Sequence, residues 1–99
     1  VALDYRTLIP EAILTDPVRG RIAAYAWGQD YHVIIGERLK LLAAQLASET
    51  GCEARWYVDT GAILERSHGQ AAGLGFTGKN TMLIHPRYGS LFFIGEVLL

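Results

Sequence analysis

Tyr31 to Thr50 reads YHVIIGERLKLLAAQLASET, and it runs on into Gly51-Cys52-Glu53-Ala54-Arg55-Trp56-Tyr57-Val58-Asp59-Thr60-Gly61. In the first stretch Ile35, Leu39, Leu42 and Leu46 recur at helical spacing, which predicts an amphipathic helix with one apolar stripe. Asp30 is placed to cap its start and Gly51 to end it. Gly36 costs up to about 1 kcal/mol relative to alanine inside a helix, so either something packs close to that turn or the helix begins later. In the second stretch the period changes to two: Ala54, Trp56 and Val58 alternate with Arg55, Tyr57 and Asp59, which predicts a strand with one face in the core. A helix followed directly by a half-buried strand makes the chain an α/β (α+β) domain.

Working outward, Val1 to Tyr5 reads as the end of a strand, and Arg6 to Gly20, with Pro10 and Pro17, reads as a long loop. A second helix is expected from Ala62 to Ala72, stopped by Gly73. Beyond the glycine-rich run Gly73 to Asn80, strands are expected at Thr81–His85 and Leu91–Leu98, joined through Pro86 to Ser90. The expected architecture is a mixed sheet with flanking helices in a truncated single domain. There is no initiator methionine, and the sequence stops at Leu98-Leu99 in an apolar stretch, so both ends are expected to be cut.

Hydrophobic residues make up 51% of the 99 residues and charged residues only 19%, a balance that opposes disorder and favours apolar surface covered by other parts of a larger protein. Self-association through such uncovered surface is therefore expected. With a net charge of −1 and scattered lysines and arginines there is no basic stripe for nucleic-acid phosphates. No apolar run reaches the length of a membrane span and no signal peptide is visible, so a cytoplasmic protein without membrane contact is expected. The single cysteine, Cys52, allows no internal disulfide.

Several residues invite a chemical reading. Gly73 to Lys79 matches G-x-x-x-x-G-K, but Asn80 replaces the hydroxyl residue that a P-loop uses to hold Mg²⁺. The expected order, helix then loop then strand, is also the reverse of a P-loop. A tight turn, or backbone amides and Lys79 holding another polar ligand, are the other readings. His32, His68, His85 and Cys52 lack the short spacings of metal ligands, and no metal site is expected. Asp59 ends a core strand, the place where clefts form in α/β sheets, although position alone favours a helix cap. Arg66, about two turns on, can point back to the same cleft to hold a carboxylate or orient a polar substrate, or form a solvated pair with Glu65.

Three segments taken together resemble the epoxyqueuosine reductase family: Arg21-Ile22-Ala23-Ala24-Tyr25-Ala26-Trp27-Gly28-Gln29-Asp30-Tyr31-His32; Tyr57-Val58-Asp59-Thr60-Gly61 with Glu65-Arg66; and Ala72-Gly73-Leu74-Gly75-Phe76-Thr77-Gly78-Lys79-Asn80-Thr81. The likeness continues through Gly89-Ser90 and Phe93-Ile94-Gly95-Glu96. It implies that residues 1–99 are a fragment of an N-terminal cobalamin-binding domain. It also implies a ferredoxin-like domain with two [4Fe–4S] clusters outside this chain, an electron donor, and tRNA bound by the full-length protein. The implied reaction is reductive removal of the epoxide oxygen of epoxyqueuosine. Asp59 matches the family's proton donor, which reverses the preference for a cap. That role needs a neutral carboxylic acid, hence burial or hydrogen bonding at Asp59. Arg66, Tyr31 and His32 match positions on the reaction side of the cleft, and Lys79, Asn80 and Leu83 fall where the glycine-rich loop would approach the corrin. The C-x₂-C-x₂-C-x₃-C run of a two-cluster ferredoxin is absent, Cys52 being the one cysteine. The competing functions are a corrinoid or flavin carrier on a similar domain and, ranked last, a nucleotide-binding domain.

Overall fold

The structure, a computed structural model, describes residues 1–99. The long helix forms at Tyr31–Thr50 (α2), preceded by a single turn, Glu11–Leu14 (α1), within the segment read as a loop. The Asp30 carboxylate accepts the backbone N–H of His32 at 2.9 Å, capping the first turn. At the other end Gly51 takes φ 72°, and its N–H bonds the Ala47 carbonyl at 2.9 Å. A left-handed residue there lets the chain turn away without a Cβ clash. The buried stripe of α2 is Ile35, Gly36, Leu39 and Ala43. Gly36 is explained by close packing: a Cβ there would lie 3.2 Å from the Trp56 ring.

Six short strands pair as three two-stranded antiparallel sheets rather than as one mixed sheet. Ala2–Asp4 (β1) pairs with Phe92–Ile94 (β5), and Arg55–Tyr57 (β2) pairs with Glu96–Leu98 (β6). The expected strand Leu91–Leu98 is thus split at Gly95, and its two halves take different partners. Gly95 is where α2 seats: a Cβ on it would stand 2.7 Å from Leu39 Cδ1 and 2.9 Å from Ile35 Cγ2. Around this contact Ile35, Leu39 and Val58 form the core, with Leu3, Tyr31, Phe93 and Val97 packed against it. Of the predicted inward face, Val58, just past β2, is buried at 2% exposure, whereas Trp56 stays 40% exposed.

The second helix is shorter than expected, Glu65–Ala71 (α3), and starts at Leu64 with no side-chain cap. The glycine-rich run then supplies a strand that its composition did not announce. Phe76–Thr77 (β3) pairs with Leu83–Ile84 (β4), and Gln70 Oε1 accepts the Thr77 N–H at 2.8 Å, tying this hairpin to α3. No helix is long and apolar enough to cross a membrane.

Candidate functional site

Asp59 follows β2 at a sharp turn in which its own backbone is left-handed, φ 52°. Across the cleft Thr81 is left-handed too, at φ 65°. Aspartate tolerates this region, but a β-branched residue in it is a true outlier of the kind that collects at functional sites. Both residues line one cavity of about 480 Å³, together with Leu64 and Arg66 from the start of α3, Met82, and Phe92 from β5. The wall is therefore half apolar, with a carboxylate, a guanidinium and hydroxyls set into it.

The Asp59 carboxyl does not cap α3. It accepts a hydrogen bond from the Tyr31 hydroxyl at the start of α2. It remains exposed, and the bond is one that it accepts, so neither the burial nor the kind of hydrogen bond expected to hold a neutral acid is present; the bond fixes its position only. Tyr31 is itself clamped, its ring stacked on Phe93 at 3.9 Å between centroids and 7° between planes. Burial first, then the bond to Asp59, pushes the Tyr31 phenol up to about 12, so it stays protonated and remains the donor throughout the neutral range. His32 stacks on Tyr31 at 4.1 Å, and its Nδ1 lies 2.8 Å from the Asp30 carboxylate. The His32 backbone N–H, and then its ring, hold the Asp30 carboxyl below its ordinary value.

Arg66 shares the cavity with Asp59 but forms no ion pair with it or with Glu65; its Nη1 donates to the Thr81 carbonyl at 3.3 Å. The guanidinium thus bridges α3 to the glycine-rich loop and keeps its other N–H groups for a ligand. Of the three loop candidates, Lys79 is exposed, and the Asn80 side chain is engaged by the Met82 N–H at 3.2 Å. Leu83 is 2% exposed and its side chain packs against Gly69 in the core, which leaves only its backbone to face a ligand. The P-loop reading fails on geometry, because α3 precedes the loop and the loop is consumed by the β3–β4 hairpin. No group of three His, Cys, Asp or Glu side chains is gathered as metal ligands would be.

Sequence reasoning passed over Thr81, Phe92 and Phe93 as site residues. The Phe92-Phe93 pair reads as ordinary strand, and a left-handed threonine has no composition signal. It also missed Glu96, a buried carboxylate with neither oxygen hydrogen-bonded, although one acid inside the apolar run Leu91 to Leu99 was a visible clue.

An α/β domain with an open, half-apolar cleft lined by an acid and a guanidinium is the kind of setting in which enzymes place their ligand sites. The sequence profile described as epoxyqueuosine reductase QueG, DUF1730, matches residues 1–60. The epoxyqueuosine reductase of Gloeobacter violaceus is 48% identical over 99 residues, covering 99% of this chain and 30% of that protein. That of Synechocystis is 43% identical over 99 residues, 99% of this chain and 34% of that protein. Among solved structures, the epoxyqueuosine reductase from Streptococcus thermophilus superposes with a TM-score of 0.81 at 34% identity, covering 98% of this chain and 27% of that one. An epoxyqueuosine reductase crystallised with a tRNA-Tyr epoxyqueuosine-modified stem loop gives 0.69 at 38% identity, over 74% of this chain and 20% of that one. The chain belongs to the epoxyqueuosine reductase family, and it spans about a third of the length of the relatives it matches.

Proposed function

We propose that residues 1–99 are part of the N-terminal, cobalamin-holding domain of an epoxyqueuosine reductase that acts on tRNA in the cytoplasm. The observation that carries this reading is the Asp59 carboxyl, fixed by the Tyr31 hydroxyl on the edge of a cavity that Arg66 also lines. Removing the epoxide oxygen as water requires two electrons and two protons. Bound cobalamin would supply the two-electron chemistry, fed through two [4Fe–4S] clusters elsewhere in the protein by a separate electron donor. With one cysteine this chain cannot itself provide the four thiolates of such a cluster.

The lining of the cleft supports a flat ring with an amide fringe as its ligand. Met82 and Leu64 offer exposed apolar surface, at 36% and 73%, beside the hydroxyls of Ser67, Thr77 and Thr81. Lys79 and Asn80, on the loop leading into Thr81, would meet the fringe. The protein's own residues then have separate tasks. Asp59 delivers a proton to the substrate oxygen, Tyr31 holds that carboxyl in place while keeping its own proton, and His32 buttresses the Tyr31 ring. Arg66 orients the polar substrate through its free N–H groups.

In the intact reductase, Asp59→Asn is expected to lower turnover by about 10²-fold or more, the usual share of a positioned proton donor, with RNA and cobalamin affinity little changed. Cobalamin binding is followed by the shift of its visible spectrum. Full turnover by the variant, or failure of the unaltered protein to bind cobalamin, overturns the reading.

A further inference from the structure

A second cavity, of about 290 Å³, adjoins the Tyr31–Phe93 stack. Phe93 lines both cavities, and Tyr31 lines the second while its hydroxyl reaches Asp59 in the first. The second cavity is walled by aromatic rings: Tyr5, Tyr25, Trp27, Tyr31 and Phe93. Phe93 stacks on Tyr31 and meets Tyr5 at a tilt of 36°, whereas Tyr25 and Trp27, carried on the 3₁₀ turn Ala24–Ala26 and the residue after it, pair with no ring. They are 55% and 38% exposed. Trp27 is nevertheless held, because its Nε1–H donates to the Ile22 carbonyl at 3.0 Å. An indole with its polar edge anchored and its face open is preorganised for stacking, with little side-chain entropy left to lose.

The cavity's charges cancel. Asp4 and Arg6 both line it, and they are tied to each other at 2.5 Å. A phosphate or an alkylammonium group would find no free counter-charge there, whereas a neutral planar base would find ring faces. We infer that this cavity is a stacking subsite for the unpaired nucleobase next to the modified nucleotide of the RNA, adjoining the Asp59 cleft through Phe93, which lines both. This rests on the proposed reaction, and the occupant it names is the kind of ligand, an RNA stem loop, with which a related reductase was crystallised.

The test uses the intact reductase and RNA hairpins carrying the modified nucleotide in the loop, either complete or with an abasic ribose at one flanking loop position. One of the two abasic hairpins should bind about tenfold more weakly, the loss of one base stacked on an aromatic face. Tyr25→Ala and Trp27→Ala should each weaken the complete hairpin to a similar degree and abolish the abasic penalty, with KM following Kd. Tyr25→Ala is the safer variant because the ring is exposed, and the abasic comparison on the unaltered protein needs no variant at all. If neither abasic hairpin loses affinity, or the penalty survives in both variants, the subsite is wrong and another part of the polypeptide fills the cavity. A failure of the proposed reaction would instead show as hairpin binding without epoxide turnover.

Discussion

Glu96 is 9% exposed, with neither carboxylate oxygen in a hydrogen bond. Its nearest opposite charge would be His68, whose Nδ1 stands 3.7 Å from Oε1. Burial pushes the Glu96 carboxyl above 4.5, helped by Glu65 and opposed by His68 and the α-amino group of Val1. A carboxyl raised in the folded state binds more protons there than in the unfolded chain. Its contribution to stability is complete below the unfolded value and is lost as pH rises through the folded one. Glu96→Gln removes the buried charge, so it should stabilise at pH 7 by about 1 kcal/mol, a midpoint higher by roughly 4–8 °C, and the gain should vanish at or below about pH 4. Thermal melts of both proteins across that range check this; a gain independent of pH would show that something other than charge burial is responsible. The acid itself was plain in the sequence, but its isolation depends on which neighbours α3 brings to it.

At the level of elements, the β3–β4 hairpin explains the glycine-rich run better than any phosphate site does. A Cβ on Gly75 would lie 2.2 Å from the Ile84 carbonyl oxygen, a backbone atom that cannot rotate aside. Gly73 is left-handed at φ 78° with open space around it. Gly75→Ala should therefore force the hairpin apart at a cost of about 1–3 kcal/mol or more, whereas Gly73→Ala should lose only the ~1–2 kcal/mol of a left-handed alanine. Urea unfolding ranks the two, and a larger loss at Gly73 would contradict this packing. The helix α2 was legible because both caps and its apolar period are local. By contrast, β3 is only two residues long and is a strand because Leu83–Ile84 folds back to pair with it, which leaves no period of its own to read.

On the scale of the molecule, the chain is open. Its radius of gyration is 16.2 Å and its extents are 56 × 30 × 24 Å, against about 13 Å for a compact domain of 100 residues. It exposes 7445 Å² for 10.9 kDa, where the relation for compact monomers gives about 5,600 Å². Leu8, Val18 and Ile22 stand 99%, 89% and 69% exposed on the segment before α2. The isolated 99-residue chain is therefore expected to self-associate, its sedimentation mass rising above 10.9 kDa with concentration. A constant monomer mass would show that this surface is quiet on its own.

What the sequence determined by itself is local. The bounds of α2 and the change to a period of two after Gly51 follow from residues close together in the chain, and the family likeness that points to Asp59, Arg66, Tyr31 and His32 follows from the order and spacing of short local segments. Only tertiary structure decided the rest: three separate strand pairs instead of one sheet, Leu83 in the core, and the Tyr31–Asp59 bond across 28 residues. The physical reason is range. Caps and apolar periods act within a turn or two of the chain, whereas a cleft is made by distant segments that meet because Gly95 lets α2 close on the strands behind it.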